Sequence, residues 1–222
     1  LYFHGGTSWG VVESGSTMTA CTSGDQIYVL DDYGGLKRSE DRGSSWTSIS
    51  TPSQYPSRIY SHGDTVIIID YWGIYHSGDK GESWAFVFGM FDYWGDYGCD
   101  LTLLTNGTGV WWGYGRTPGV DPGIWESRDD GQSWERMQVN YSIYGMASSG
   151  DSIYFAMEDD NSDYVLREYV LSTEAWVDHP IPFNWYPEAV SGADNGLILS
   201  LYEWLGVSTD HGETWTALVT EG

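Results

Sequence analysis

Five times along the chain a turn ending in glycine leads into a short stretch whose apolar residues alternate or run together. The stretches are DQIYVL after Gly24, DTVIII after Gly63, TGVWWG after Gly107, DSIYFA after Gly150 and LILSLY after Gly196. Alternating or continuous apolar runs of this length, bounded by turn residues, predict β-strands rather than helices. Glycine in front of each run tolerates the positive φ of a tight hairpin turn, so a second strand is expected just upstream. The glycines stand 39, 44, 43 and 46 residues apart, which makes the pattern a repeat.

A second pattern has the same period. S-x-D-x-G-x-x-W occurs at Ser39, Asp41, Gly43 and Trp46; at Ser77, Asp79, Gly81 and Trp84; at Ser127, Asp129, Gly131 and Trp134; and at Ser208, Asp210, Gly212 and Trp215. A decayed copy running from Ser172 through Glu174 to Trp176 fills the wide gap between the third and fourth. Each unit then reads as strand, glycine turn, strand, looser connection, strand, Asp-containing turn, and a fourth strand opening on Trp. Five such antiparallel units predict an all-β propeller of about five four-stranded blades, a single domain over 1–222. Segment 1–14 is surplus: Gly6-Thr-Ser-Trp9 followed by Gly10-Val-Val-Glu13 resembles the end of a box and its fourth strand. It is expected to add a strand at the rim or to pair with another copy of the chain, because an unpaired edge is adhesive; the alternative is a chain cut from a larger ring.

The motif resembles the Asp box, or bacterial neuraminidase repeat, of sialidases, some large glucan hydrolases, sortilin-type receptors and photosystem assembly factors. The resemblance implies a fold and not a function, since those relatives do unrelated things. It also implies that the box joins the third and fourth strands of each blade on the face opposite the ligand site. The chemistry agrees: a carboxylate accepts backbone N–H groups in a tight turn, Gly supplies the backbone conformation, and Trp packs between blades. Asp41, Asp79, Asp129 and Asp210 are therefore expected to be structural.

Charge narrows the partners. Among 222 residues, 32 acidic side chains against 9 basic ones give a net charge of -23. Such a chain repels phosphate backbones and anionic headgroups, so neither nucleic acid nor a membrane surface is expected. No apolar run reaches the roughly 20 residues that span a bilayer. Leu1 in place of an initiating Met fits either a chain with its leader removed or a fragment, and the expected location is extracellular or at the cell surface. Cys21 and Cys99 fit no zinc or redox spacing and are expected to be buried free thiols. No cofactor is expected; a Ca²⁺ site has weak support from Glu158-Asp-Asp-Asn-Ser-Asp163, which lacks the EF-hand spacing. The five histidines are scattered, without metal spacing.

With 13 Trp and 17 Tyr, rings remain for the surface after a core is built. If the boxes mark one face, the opposite face carries connections rich in rings and acids. There the expected ligand-binding residues are Tyr33, Tyr71, Trp72, Tyr93, Trp94, Tyr141, Trp185, Tyr186 and Trp204, with Asp70, Asp96 and Glu203 beside them. Rings stack on the C–H faces of sugars while carboxylates and amides pair with hydroxyls. The same rings would serve a protein interface or plug the blade junctions.

Sialidases that resemble this repeat clamp a sugar carboxylate with three arginines, one from an Arg-Ile-Pro segment. Here Arg58-Ile59-Tyr60 is the nearest match and lacks the proline; beyond it only Arg116 is expected on the ligand face. The expected function is a noncatalytic, lectin-like or adhesive propeller that binds a glycan or glycoprotein and does not hydrolyse sialosides. A hydrolase of neutral glycans, which needs only two suitably spaced carboxylates, is the first alternative, and a protein-binding scaffold the second.

Overall fold

The computed structural model describes residues 2–4, 9–11, 19–31, 34–53, 56–70, 73–89, 102–105, 111–117, 120–139, 143–181, 186–193, 196–201 and 204–218. Among them there is no helix. β1 (Tyr2–His4) and β2 (Trp9–Val11) pair with each other as a two-stranded hairpin. The surplus segment therefore does form a strand, and its partner is the chain's own first residues.

Five four-stranded antiparallel sheets follow, each ordered as in the sequence, which is the architecture the spacing predicts. Blade 1 is β3 (Thr19–Ser23), β4 (Gln26–Leu30), β5 (Leu36–Ser39) and β6 (Thr47–Ile49). Blade 2 is β7 (Pro56–His62), β8 (Thr65–Asp70), β9 (Gly73–Ser77) and β10 (Ala85–Gly89). Blade 3 is β11 (Thr102–Thr105), β12 (Trp111–Thr117), β13 (Val120–Ser127) and β14 (Glu135–Val139). Blade 4 is β15 (Ile143–Ser149), β16 (Ser152–Glu158), β17 (Tyr164–Val170) and β18 (Ala175–Pro180). Blade 5 is β19 (Pro187–Ala193), β20 (Gly196–Leu201), β21 (Trp204–Ser208) and β22 (Thr216–Ala217).

The second strand of each blade explains why its sequence is so apolar: alternate residues face different neighbours. On β8, Val66 and Ile68 pack toward blade 1 with Tyr28, Leu30 and Ile59, while Ile67 and Ile69 pack toward blade 3 with Trp111. Trp112, Phe155 and Tyr169 build the layer between blades 3 and 4, and Tyr154, Leu166, Val190 and Leu199 the layer between blades 4 and 5. Inner strands come closest between blades 4 and 5, where a Cβ on Gly192 would lie 2.1 Å from the Ser148 carbonyl oxygen. Cys21 is a free thiol, and burial pushes its pKa up to about 12. Cys99 lies outside the described residues.

Four box turns share one geometry. The residue after the Asp and the Gly that follows both have positive φ, as at Lys80 (62°) and Gly81 (88°). The box Ser accepts the Gly N–H at 2.7 to 2.8 Å and donates to the Asp at 2.7 to 2.9 Å. One Asp oxygen accepts the N–H of Ser45, Ser83, Ser133 or Thr214, and the other accepts the hydroxyl of that same residue. The hydroxyl before the Trp is thus part of the motif, although S-x-D-x-G-x-x-W leaves it open. Hydrogen bonds from Ser83 and Thr214 hold Asp79 and Asp210 at a pKa of about 2. Each carboxylate is committed to its own turn, which accounts for its place in the repeat.

Three of the boxes also lean on the preceding blade. Trp84, Trp134 and Trp215 pack on the layers between blades 1 and 2, 2 and 3, and 4 and 5. A Cβ on Gly81, Gly131 or Gly212 would strike Ile49, Ile67 or Leu166 of the blade before, at 2.6, 2.7 and 2.9 Å. Blade 4 has the decayed copy: Glu174 keeps the positive φ (53°), and Trp176 packs on Tyr169 with ring centroids 4.7 Å apart.

Candidate functional site

Hairpin turns and boxes share one end of each blade, so the opposite end collects the starts of first and third strands, the ends of second strands, and the links between blades. At this end, between blades 4 and 5, three tyrosines converge. Tyr144 comes from β15, Tyr164 opens β17 and Tyr186 precedes β19. Their ring centroids are 4.5 Å (Tyr144 to Tyr186), 5.9 Å (Tyr164 to Tyr186) and 6.0 Å (Tyr144 to Tyr164), at steep interplanar angles. Tyr164 is anchored on the apolar layer beneath, whereas Tyr186 is 51% exposed. The Tyr144 hydroxyl donates to Glu158 at 3.4 Å, and Ser200 donates to Glu188 at 3.3 Å on the neighbouring blade. The cluster is a half-exposed aromatic shelf with carboxylates at its margin.

Beside the shelf, the acidic run from Glu158 to Asp163 is a closed turn. Asp159 accepts the N–H groups of Asn161 and Asp163 at 2.8 and 2.9 Å, and these bonds lower its pKa, the Asp163 bond first. No group of three or more potential metal ligands occurs among the described residues.

Of the expected binding residues, Tyr186 stands on the shelf. Trp204 turns inward: its ring lies over Gly206, within 1.9 Å of where a Cβ would be, and meets Trp215 edge-on at 6.2 Å. Asp70 is 1% exposed and accepts the Gly73 N–H at 2.8 Å, closing the β8–β9 connection. Tyr33, Tyr71, Trp72, Tyr93, Trp94, Tyr141, Trp185, Asp96 and Glu203 lie outside the described residues. Tyr144 and Tyr164 were not expected on this face. Their signal in the sequence is positional, each standing at or next to the shelf end of a strand.

On the box face, the junction of blades 4 and 5 holds a buried polar network. Glu168, 6% exposed, accepts from Ser152 at 2.5 Å, Tyr154 at 2.9 Å and His179 Nε2 at 2.8 Å. From blade 5, Glu213 approaches His179 Nδ1 at 3.4 Å, and His211 Nδ1 lies 2.7 Å from the Tyr154 hydroxyl. Burial alone would raise the Glu168 carboxyl, but the bonds from Ser152, His179 and Tyr154 together lower it. Tyr154, which like Tyr144 is bonded to a carboxylate, is pushed well above the usual phenol range by burial and by Glu168. The network ties blade 5 to blade 4.

A shallow groove of about 470 Å³ lies between blades 2 and 3 on the box face, lined by His62, Asp64, Arg128 and Asp130 among others. Its polar groups already serve the junction: Asp130 accepts from Trp111 Nε1 at 2.9 Å and from Thr65, and its carbonyl accepts from His76 at 3.0 Å. Arginines are likewise engaged away from the shelf. Arg38 bonds the Lys80 carbonyl, Arg42 Asp25, Arg128 Glu126 and Arg167 Asp178.

No protein-family model and no curated protein matches the chain. Solved structures do. A GH74 enzyme from Niastella koreensis superposes with a TM-score of 0.66 at 16% identity over 91% of this chain. A GH74 xyloglucanase from Xanthomonas campestris gives 0.67 at 16% over 93%. This chain spans only 38% of the length of either. YCF48 bound to D1 peptide gives 0.66 at 17% identity, covering 96% of this chain and 72% of that one. The nidogen/laminin complex gives 0.60 at 13%, covering 90% and 78%. At such identities the likeness speaks for the fold alone: the chain is an all-β protein of the propeller type, with five four-stranded blades.

Proposed function

We propose that the protein is a noncatalytic, lectin-like Asp-box propeller that binds a glycan outside the cell through the face opposite its boxes. The supporting observation is the Tyr144, Tyr164 and Tyr186 shelf, in which the Tyr186 ring is half-exposed and its neighbour Tyr144 is bonded to Glu158. Such a ring can take the C–H face of a sugar while the carboxylate accepts its hydroxyls. The test is a glycan array followed by titration of Tyr186→Ala. Covering a ring of this size is worth roughly 1 to 3 kcal/mol, so affinity should fall by about tenfold or more. Salt should change it little, because the ligand is neutral. Absence of any glycan ligand, or a fully active Tyr186→Ala protein, would overturn the reading.

Two of the structural neighbours, YCF48 bound to D1 peptide and nidogen with laminin, carry protein ligands. A peptide-binding role for the same shelf is accordingly the second reading, favoured if a protein partner binds and no sugar competes. The GH74 neighbours keep a neutral-glycan hydrolase as a third, and release of reducing ends by the pure protein would establish it.

A further inference from the structure

Glu158 is the last residue of β16 and pairs directly with Tyr164, the first of β17. Alternate residues of a strand share a face, so both stand with Tyr154, Ala156 and Leu166 on the side of blade 4 that meets blade 5. Directly opposite side chains lie about 5 Å apart at Cβ, which brings the carboxylate against one wall of the shelf. The other wall is Tyr144. It falls where the pairing of β15 with β16 shifts register, between Ile143 and Gly145, and such a bulge re-aims the side chain it carries. Its hydroxyl donates to Glu158, and its ring meets Tyr186 at 4.5 Å. Glu158 is thus half-buried between two of the three rings, whereas Asp159, next in the chain, is committed to its own turn.

The basic residues between 143 and 217 are Arg167, His179 and His211, and each is engaged away from the shelf. Arg167 stands on the opposite face of β17 from Tyr164 and binds both oxygens of Asp178, at 2.6 and 2.7 Å. His179 and His211 belong to the network on the box face, at the far end of the same blades. A sugar laid on Tyr186 therefore meets a carboxylate, which accepts from hydroxyls and repels a second anion. On the lectin-like reading of this shelf, on which the assignment rests, we propose that Glu158 is its specificity-determining residue. It admits uncharged glycans and excludes those that carry a carboxylate or sulfate.

A sugar carboxylate brought against Glu158 sets two like charges about 5 Å apart at a half-buried position, which should cost it at least about tenfold in affinity. The probes are arrayed oligosaccharides of glucose, galactose and mannose, each beside its C6-carboxylated form. They are titrated against the parent, Tyr186→Ala, Glu158→Gln and the control Asp64→Asn, which removes the same charge from the box face of blade 2. The expected result is a neutral form bound at least about tenfold more tightly by the parent, and a ratio that falls below about threefold in Glu158→Gln as the acidic form gains. Asp64→Asn should keep the parent's ratio. Raising NaCl to about 0.5 M should leave the larger part of the preference, because a half-buried pair is screened much less than repulsion by the chain as a whole. That measurement on the parent decides the matter should Glu158→Gln not fold. An acidic form bound as well as the neutral one, a preference erased by salt, a ratio unchanged in Glu158→Gln, or one lost equally in Asp64→Asn would overturn the assignment. In those cases neutral binding that still falls in Tyr186→Ala leaves the lectin-like reading standing, whereas absence of binding to every probe overturns both.

Discussion

Glu168→Gln is the sharpest probe of what joins the last two blades. The parent carboxylate is 6% exposed and receives three donors, Ser152, Tyr154 and His179. Glutamine has nearly the same shape but only one acceptor oxygen. If that oxygen keeps Ser152 and Tyr154, its amide nitrogen faces His179, and one charge-assisted bond worth about 1.5 to 3 kcal/mol is lost. The two remaining bonds lose their charge assistance, at several tenths of a kcal/mol each. The sum is about 3 kcal/mol, which for a chain of this length lowers Tm by roughly 6 to 12 °C. Urea unfolding followed by Trp fluorescence reads the loss, and hydrogen exchange should show blade 5 amides opening sooner. The pH dependence gives a second check. Glu168 has a folded pKa below its ordinary value of 4.5, so its contribution is present above that value and is lost as pH falls through the folded one. The gap between parent and variant should therefore narrow below about pH 4. A loss under about 1 kcal/mol at pH 7, or a gap that widens in acid, would refute the reasoning. Pairing Glu168→Gln with His179→Gln should cost less than the two singles combined, since each single change strands the other partner.

Trp112→Ala, at a fully buried ring packed on Tyr169 at 4.9 Å, should cost about 3 to 5 kcal/mol in the same urea assay. Gly192→Ala forces a Cβ into the Ser148 carbonyl and should destabilise by at least about 2 kcal/mol, with an unchanged Tm counting against the close approach of blades 4 and 5. The box carboxylates Asp79 and Asp210, held at about 2, stabilise the fold above their ordinary value of 3.8, so the parent should lose stability as pH falls from about 4 to about 2. An acid titration by circular dichroism checks this, and Asp79→Asn should flatten that loss. Cys21, with its thiol near 12, should react with a disulfide reagent at pH 8 only after unfolding.

Local features were legible in the sequence because their causes are local. A box turn is completed within eight residues: Ser77 and Asp79 bond Gly81 and Ser83, and two successive positive φ angles allow it. The apolar runs after Gly63, Gly107 and Gly150 mark buried second strands because both faces of those strands meet a neighbouring blade. Period and blade count thus follow from the chain itself. Trp204 marks the boundary of such reading. Glycine two residues on leaves a gap on the same strand face, and the ring folds into it rather than outward.

Tertiary structure decided whatever depends on residues far apart in the chain. Tyr144, Tyr164 and Tyr186 make a shelf only because the start of β15, the start of β17 and the link into β19 end at one level. No period in the sequence encodes that height. The Glu168 network likewise needs His211 and Glu213 from the next blade's box. Ile198, 44% exposed, repeats the apolar position held by the buried Tyr28, Ile67, Trp112 and Tyr154, and its sequence pattern does not set it apart from them. Whether such a side chain is core or surface is settled by the presence of a covering layer, since burial belongs to the pair of faces and not to either strand alone.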